Sequence, residues 1–324
     1  MQGARCRAVE RLGGTRADVW LGVVAGLNGF RRPVVLKRAP VSDPDGVRDL
    51  FREASIAMRL THPNVVAALD LFEAPRELVL ALEHVLGVDA RELARPAPWP
   101  VAARIVCDAA RGLDYVHELR DGHGRALRIV HGDVSIANLV ISELGYTKVT
   151  DFGIARTATD TARQDVVHGT RGFLSPEQAR GEAIDARSDV FALGQVFVHL
   201  AMSRGAFDST FVGAAARAAS LEAPPAVTEL LKRMLAVEPA RRPRMRDVVD
   251  LLDPVAAQSG GDQRAVAQFV RSGSLERLEA RRRALANAIE PPAGALFPLA
   301  HEGPEEVSLT GLDEVGEPTE VDRG

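Results

Sequence analysis

Five side chains in this 324-residue sequence have types and an order suited to chemistry on a metal-bound phosphate. Lys37 ends the apolar run "VVLK", and Glu53 sits in the helix-like "FREAS". Asp133 and Asn138 share the stretch "VHGDVSIANLV", and Asp151 follows the strand-like "TKVT". An ammonium can hold phosphates, a carboxylate can orient an attacking hydroxyl, and carboxylate and amide oxygens can bind Mg²⁺. Each residue alone is common on a solvated protein surface, but the five in this order indicate phosphoryl transfer.

Composition and charge restrict the classes of partner. Lys+Arg 40 and Asp+Glu 44 nearly balance, with a net charge of -4, so we expect no nucleic-acid partner. The only cysteines, Cys6 and Cys107, offer no disulfide framework, which favours a reducing cytoplasmic location. No run reaches the roughly 20 apolar residues of a membrane helix, so we expect no membrane segment.

The first 86 residues predict a small sheet with one helix. "VWLGVVAG" and "PVVLKRA" flank Asn28-Gly29, a hairpin signal. "LTHPNVVAALDLFE" and "ELVLALEHV" are further strand candidates. Helical periodicity runs from Pro44 to Leu60, with one apolar side predicted from five residues: Val47, Leu50, Phe51, Ala54 and Met58.

The rest of the chain predicts mainly helices. "VAARIVCDAARGLDYVHEL" carries an apolar stripe, and residues 187–203, 224–236 and 243–252 have helical patterns. We therefore expect residues 87–255 to form a second, helical region. Residues 256–290 predict a helical extension that packs a few leucines on this region. Residues 291–324 are acidic, rich in Gly and Pro and without hydrophobic period, which is typical of disorder.

Several stretches that this chemistry alone does not require resemble the eukaryotic-like (Hanks-type) Ser/Thr protein kinases of bacteria, and most of all the myxobacterial type. They include "THPNVV", "LALEHVLG", "GTRGFLSPEQARG", "SDVFALG" and "EPARRP". The resemblance covers about residues 8 to 253. It implies an α+β, two-lobed protein kinase fold, with a small β-rich lobe above a large helical lobe and a flexible C-terminal tail.

The resemblance also implies ATP and Mg²⁺ as cofactors and a protein substrate. Lys37 and Glu53 would position the phosphates, Asp133 would orient the acceptor hydroxyl, and Asn138 and Asp151 would hold metal. Further nucleotide contacts fall on the phosphate-covering loop, the hinge and the segment after it: Gly14, Val19, Glu83, Val85 and Asp89. Leu82 matches the gatekeeper, and Asp89 has helix capping as its alternative role. Glu177 and Arg242 would form a buried pair, and Thr170 favours Ser/Thr over Tyr acceptors.

Three departures from the family pattern bear on activity. Gly132 replaces an arginine that pairs with a phosphorylated activation loop, so activity should not depend on phosphate at Thr157, Thr159 or Thr161. Ser135 replaces a lysine that reaches the γ-phosphate, which should slow the reaction by roughly one or two decades. In the loop "RLGGTRADVWLG", Leu12 and Ala17 stand where outer glycines are usual.

Two alternatives stay open. A His-Gly-Asp opening is common in kinases of small molecules, and the three departures are compatible with a pseudokinase that binds nucleotide and transfers nothing. The peptide-binding stretch and the Glu–Arg pair favour a protein kinase over the first, and the five charged or coordinating groups favour activity over the second. Ser308, Thr310 and Thr319 in the acidic tail are candidate sites of autophosphorylation.

Overall fold

The computed structural model describes residues 5–13, 18–25, 31–93, 95–153, 170, 172–202, 215 and 218–289. All of them belong to one compact unit that ends at Glu290. Gly14, Ala17, Asn28-Gly29, the three threonines of 157–161 and the whole of 291–324 lie outside the described residues. Among the described residues, no helix is both long and apolar enough to cross a lipid bilayer.

The small lobe is a five-stranded antiparallel sheet with one helix. Its strands are β1 (Arg5–Gly13), β2 (Asp18–Ala25), β3 (Arg31–Pro40), β4 (Ala68–Ala74) and β5 (Glu77–Glu83), in the order β1-β2-β3-β5-β4. β2 pairs with β3 from Asp18 opposite Arg38 to Ala25 opposite Arg31, as the hairpin signal predicts. Alternate residues of a strand face the same side, so Leu80 and Leu82 of β5 enter one core cluster, while Leu36 of β3 enters the cluster on the opposite face of the sheet.

Helix α1 (Pro44–Ala57) forms where periodicity predicts it, with Asp43 as its N-cap accepting from the Gly46 N–H. The predicted apolar side is partly wrong. Leu50 and Ala54 are buried, but Phe51 is 59% and Met58 53% exposed. The buried face turns instead toward Glu53, because α1 packs on β3 and brings this carboxylate to the lysine of that strand.

The large lobe follows β6 (Gly87–Asp89) and is mainly helical. Its helices are α2 (Trp99–His117), α3 (Pro176–Ala179), α4 (Ala186–Ala201), α5 (Pro225–Met234) and α6 (Met245–Gln258). Strands β7 (Leu139–Ser142) and β8 (Thr147–Val149) complete a three-stranded sheet in the order β6-β7-β8. The predicted stripe of α2 is confirmed, since its five residues are fully buried: Ile105, Val106, Ala109, Leu113 and Val116.

The helical extension is present as α7 (Gln263–Ile289), which has a non-helical residue at Ser274. It packs on α2 and β7, as predicted, and also on β6 and on β1, β2 and β3 of the small lobe. Two clusters of the core cover the two faces of the small-lobe sheet, and a large one fills the helical lobe. The predicted two-lobed fold is confirmed.

Candidate functional site

Lys37 lies at the centre of the cleft between the lobes. It is in β3, opposite Val19 of β2, and its Nζ is 2.5 Å from Glu53 Oε1 and 3.1 Å from Asp151 Oδ1. Lys37 and Glu53 are both buried, whereas the Asp151 side chain is 45% exposed. The lysine thus ties helix α1 to the segment after β8 and leaves the Asp151 carboxylate open to the cleft.

The charges of Lys37 and Asp151 stabilise each other. Burial opposes the charge of Lys37, but the carboxylates of Glu53 and Asp151 outweigh it and raise the pKa of the lysine. Burial likewise opposes ionisation of Asp151, and the charge of Lys37 with its hydrogen bond lowers the pKa of this carboxyl. Near neutral pH the site therefore holds an ammonium beside an ionised Asp151, as phosphate and metal binding require.

Asp133 and Asn138 lie on the loop that precedes β7. The Asn138 Nδ2 donates to the Asp133 carbonyl at 2.8 Å and to its Oδ2 at 3.2 Å, which leaves the amide oxygen for another partner. Thr170 donates to Asp133 Oδ1 from its N–H at 2.7 Å and from its Oγ1 at 2.8 Å. The carboxylate of Asp133 is therefore held from two sides before any substrate binds.

Buried Asp189 of α4 supports this loop from below. Its Oδ2 accepts from the His131 N–H and its Oδ1 from the Gly132 N–H, both at 2.9 Å. His117 Nε2 lies 2.7 Å from the same carboxylate. Gly132 has a φ of 74°, a conformation that glycine adopts without a Cβ penalty. The two hydrogen bonds from the backbone N–H groups of His131 and Gly132 to the Asp189 carboxylate thus fix the loop of Asp133 relative to the large lobe.

The interlobe cleft is a cavity of about 880 Å³ with an apolar wall and a charged floor. Apolar side chains of both lobes line the wall, among them Val19, Leu21, Val35, Val66, Leu82 and Val140. Polar and charged groups converge below, among them Lys37, Asp133, Asn138 and Asp151. An apolar pocket with a few convergent polar groups suits a small ligand that has a flat apolar part and a charged part.

The cleft brings together the predicted residues that the structure describes, except Glu83. Glu83 does not line the cavity. Its N–H donates to the Ala67 carbonyl at 2.9 Å, and its carboxylate lies 2.7 Å from Lys148 Nζ. Of the two predicted hinge residues, Val85 lines the cleft, as does the neighbouring His84, and burial followed by the charge of Arg281 lowers the pKa of this histidine to about 4.

Asp89 lines the cleft, but its carboxylate has other partners. It accepts from the Arg91 N–H at 2.8 Å and pairs with the Arg91 guanidinium at 3.0 Å, in a capping box with Glu92. The capping role that the sequence offered as an alternative is therefore present. A ribose contact would have to share this carboxylate with Arg91.

Three residues of the cleft were not assigned a role there from the sequence. Gly13, next to the exposed Leu12, ends β1 with a φ of 130° and open space around it, a conformation that favours glycine. Its positive φ could have been suspected from the double glycine 13-14. Thr170 was noted only for acceptor type. Arg281 lies beyond the last of the quoted stretches, "EPARRP", and no sequence signal pointed to it.

The donor set fits Mg²⁺ brought by a nucleotide. The described residues hold no cluster of three or more His, Cys, Asp or Glu side chains suited to a metal ion. Asp151 supplies a carboxylate and Asn138 an amide oxygen at the floor of the cleft. Mg²⁺ is usually bound by one or two carboxylates together with substrate phosphates and waters, so these two side chains would hold the ion with the nucleotide.

The predicted Glu177–Arg242 pair is confirmed. Arg242 Nη1 and Nη2 lie 2.6 and 2.8 Å from the two oxygens of Glu177, and both residues are buried. The Arg242 guanidinium also donates to the carbonyls of Ala236, Val237 and Arg187. Gln178, next to Glu177, donates to the Gly132 carbonyl at 2.7 Å. The stretch after Thr170 is therefore fixed to both the large lobe and the loop of Asp133.

Comparison with known families identifies the fold. Residues 21–251 match the protein kinase domain. The chain belongs to the protein kinase family. Kinases of this family use ATP with divalent metal ions, and the cleft described above has the groups that such a ligand needs.

Curated relatives include kinases of Myxococcus and Mycolicibacterium. The chain is 38% identical over 193 residues to the tyrosine-protein kinase MasK of Myxococcus xanthus, covering 56% of this chain and 30% of MasK. It is 36% identical over 237 residues to the serine/threonine-protein kinase PknB of Mycolicibacterium smegmatis, covering 69% of this chain and 34% of PknB. It is 33% identical over 234 residues to the serine/threonine-protein kinase pkn3 of Myxococcus xanthus, covering 64% of this chain and 42% of pkn3. The chain spans less than half the length of these relatives.

Proposed function

We propose that this chain is an active ATP-dependent protein kinase that transfers the γ-phosphate to Ser or Thr of a protein. The observation that carries the proposal is the position of the Lys37 ammonium, which forms ion pairs with both Glu53 and Asp151. Asp133 and Asn138 line the same cleft. Lys37 would neutralise the α and β phosphates, and Glu53 would fix its place. Asp133 would accept the proton of the acceptor hydroxyl.

The arrangement on the acceptor side supports a protein substrate. The buried Glu177–Arg242 pair and the Gln178 contact hold the stretch after Thr170 beside Asp133. Thr170, hydrogen-bonded to Asp133, supports Ser/Thr acceptors. The name of MasK specifies tyrosine, so the identity of the phosphorylated residue is part of the test.

A nucleotide-binding pseudokinase is the second candidate, and the buried Ser135 favours it. Its hydroxyl lies 3.4 Å from Thr170 Oγ1, at a place where the family has a lysine for the γ-phosphate. Loss of one charge-assisted hydrogen bond of about 1.5–3 kcal/mol predicts a slow enzyme and not an inactive one. An active but slow enzyme is also supported by the presence of all five residues that the chemistry needs: Lys37, Glu53, Asp133, Asn138 and Asp151.

Radiolabelled ATP tests the proposal directly. The purified full-length chain is incubated with γ-labelled ATP, Mg²⁺ and a generic protein acceptor, beside Asp133→Asn and the exposed control Asp250→Asn. We expect label on Ser or Thr of the acceptor, a loss of at least about 100-fold in Asp133→Asn because the base is removed, and unchanged transfer in the control. Mass spectrometry of the chain itself reports whether Ser308, Thr310 or Thr319 is also modified.

Each other outcome rejects a part of the proposal. Nucleotide binding without any transfer supports the pseudokinase. Label only on a small metabolite supports a small-molecule kinase, and label on tyrosine contradicts the acceptor type. Equal transfer by Asp133→Asn and the wild type contradicts the role of Asp133.

A further inference from the structure

Helix α7 runs from the large lobe past the hinge (residues 83–86) to the small lobe. Before Ser274 it buries Val266 and Val270 against the large lobe, and after Ser274 it buries Leu278. At its end the Ile289 carbonyl accepts from Nη1 of Arg31, the first residue of β3, at 2.8 Å. The second half of α7 is therefore attached to both lobes on the side where they are joined.

Arg281, with its neighbour Ala280, brings this half of α7 to the interlobe cleft. Its Nη1 donates to the carbonyl of Gly87, and its Nη2 lies 2.9 and 3.1 Å from the two carboxylate oxygens of Glu92. Arg281 lines the mouth of the cleft together with His84, Gly87 and Asp89. Its side chain is 31% exposed, so the guanidinium is partly withdrawn from water.

The contacts of Arg281 continue through Glu92 into the wall of the cleft. Glu92 accepts from the Asp89 N–H at 3.0 Å, and Asp89 accepts from the Arg91 N–H. The segment from Gly87 to Glu92, which follows the hinge, is thus held at its first and last residues by one guanidinium. Because the guanidinium is planar, its Nη1 contact with Gly87 and its Nη2 contact with both carboxylate oxygens of Glu92 fix these two residues relative to each other.

We propose that Arg281 is a positioning residue for the nucleotide, which makes helix α7 a part of the nucleotide site. Arg281 acts through Gly87 and Glu92: it sets the position of the cleft wall that faces the end of the nucleotide nearest the hinge. The proposal rests on the proposed function only in that the cleft binds a nucleotide. It does not require phosphoryl transfer.

The test measures binding of ADP with Mg²⁺ by isothermal titration calorimetry on the full-length chain. Arg281→Ala removes both contacts, and Arg281→Lys keeps the charge without the planar fork. Arg282→Ala is the matched control, because Arg282 is the next residue, pairs with Glu143 at 2.7 Å and does not line the cleft. We expect Arg281→Ala to weaken ADP about tenfold, Arg281→Lys about threefold, and Arg282→Ala less than twofold.

Steady-state kinetics distinguish positioning from general support. In Arg281→Ala the KM for ATP should rise about tenfold with kcat within twofold, since Asp133 and Lys37 are untouched. Unchanged ADP affinity in Arg281→Ala, or equal losses in Arg281→Ala and Arg282→Ala, would overturn the inference. If Arg281→Ala does not fold, the decision passes to Arg281→Lys, for which unchanged ADP affinity overturns it.

The two proposals can fail separately. Weaker ADP binding in Arg281→Ala with no transfer by the wild type rejects the kinase activity and keeps the inference. Normal phosphoryl transfer by the wild type, with unchanged ADP affinity in Arg281→Ala, keeps the kinase activity and rejects the inference. A wild type that binds no ADP rejects both.

Discussion

Gly132 and Ser135 are the two residues by which the loop of Asp133 departs from the family. Both backbone groups of Gly132 form hydrogen bonds: its N–H donates to the Asp189 carboxylate, and its carbonyl accepts from the Gln178 side chain. Ser135 is buried and has a hydroxyl at the position where the family has a lysine. Neither residue supplies a cation, so an activation-loop phosphate would lack the guanidinium that pairs with it in the family.

The absence of this arginine leads to a prediction on regulation. Thr157, Thr159 and Thr161 changed together to Ala should leave transfer to a protein acceptor within about threefold of wild type, because Gly132 provides no charge for a phosphate to pair with. The measurement is the initial rate of label transfer under Mg²⁺-ATP saturation.

Thr170→Ala is the control for this triple variant. Thr170 donates twice to Asp133 Oδ1, from its backbone N–H and its hydroxyl, and the variant removes the hydroxyl bond. The rate of Thr170→Ala should fall about tenfold. A fall of more than tenfold in the triple variant would show that loop phosphorylation does gate the enzyme.

The sequence predicted the polar and charged residues of the cleft better than it predicted the hydrogen-bond and ion-pair partners of those residues. Lys37, Asp133, Asn138 and Asp151 could be found because motif order reflects the chemistry they perform. The partner of Glu83 could not, since Lys148 reaches this carboxylate only in the folded chain, whereas the capping role of Asp89 is local and was offered by the sequence. Hydrogen bonds between distant side chains have no period in the sequence.

The Glu177–Arg242 pair joins α3 to the loop before α6, two elements that the sequence separates by 65 positions. Burial opposes the charge of Glu177, but the hydrogen bonds from Arg242 and Ser188 lower the pKa of this carboxyl to about 2. A pKa depressed in the folded state contributes stability above the unfolded value, and that stability is lost as pH falls through the folded value.

Glu177→Gln should therefore destabilise the protein, and by an amount that depends on pH. At pH 7 we expect a loss of about 3–5 kcal/mol in the free energy of unfolding, because Arg242 is left buried without its counter-charge. Between the ordinary pKa of about 4.5 and pH 2, protonation of Glu177 weakens the wild type only, so the difference should narrow. Urea unfolding at several pH values measures both effects.

The exposed Glu229→Gln provides the control for the buried pair. Glu229 lies in α5 with a side chain 64% exposed, 3.5 Å from Lys232. Its substitution should change the free energy of unfolding by less than about 0.5 kcal/mol. A difference between wild type and Glu177→Gln that stays constant from pH 7 to pH 3 would contradict the low pKa of Glu177.

Periodicity predicted the elements, and packing decided which face is buried. α2 is surrounded by the large lobe, so all of its predicted stripe is inside. α1 packs mainly on the sheet, and there Glu53 takes a place in the buried face while Phe51 and Met58 stay exposed. A pattern of apolar residues cannot anticipate an ion pair that draws a glutamate inward.

At the scale of the whole molecule, two lobes and one C-terminal helix surround the cleft. The sequence predicted the lobes and the helix, and it assigned the helix to the large lobe. The helix also contacts β1, β2 and β3 and brings Arg281 to the cleft. This could not be predicted, since helical periodicity specifies an apolar face but not the surface on which that face packs.

The central claim is that Lys37, Asn138 and Asp151 converge on a metal-bound triphosphate. Calorimetric titration with a non-hydrolysable ATP analogue, with and without Mg²⁺, tests it most directly. For the wild type we expect Mg²⁺ to tighten binding by at least about tenfold, because Asp151 and Asn138 would hold the ion with the phosphates. For Asp151→Asn we expect this gain to disappear. Equal affinity of the wild type with and without Mg²⁺, or an undiminished gain in Asp151→Asn, would contradict the account.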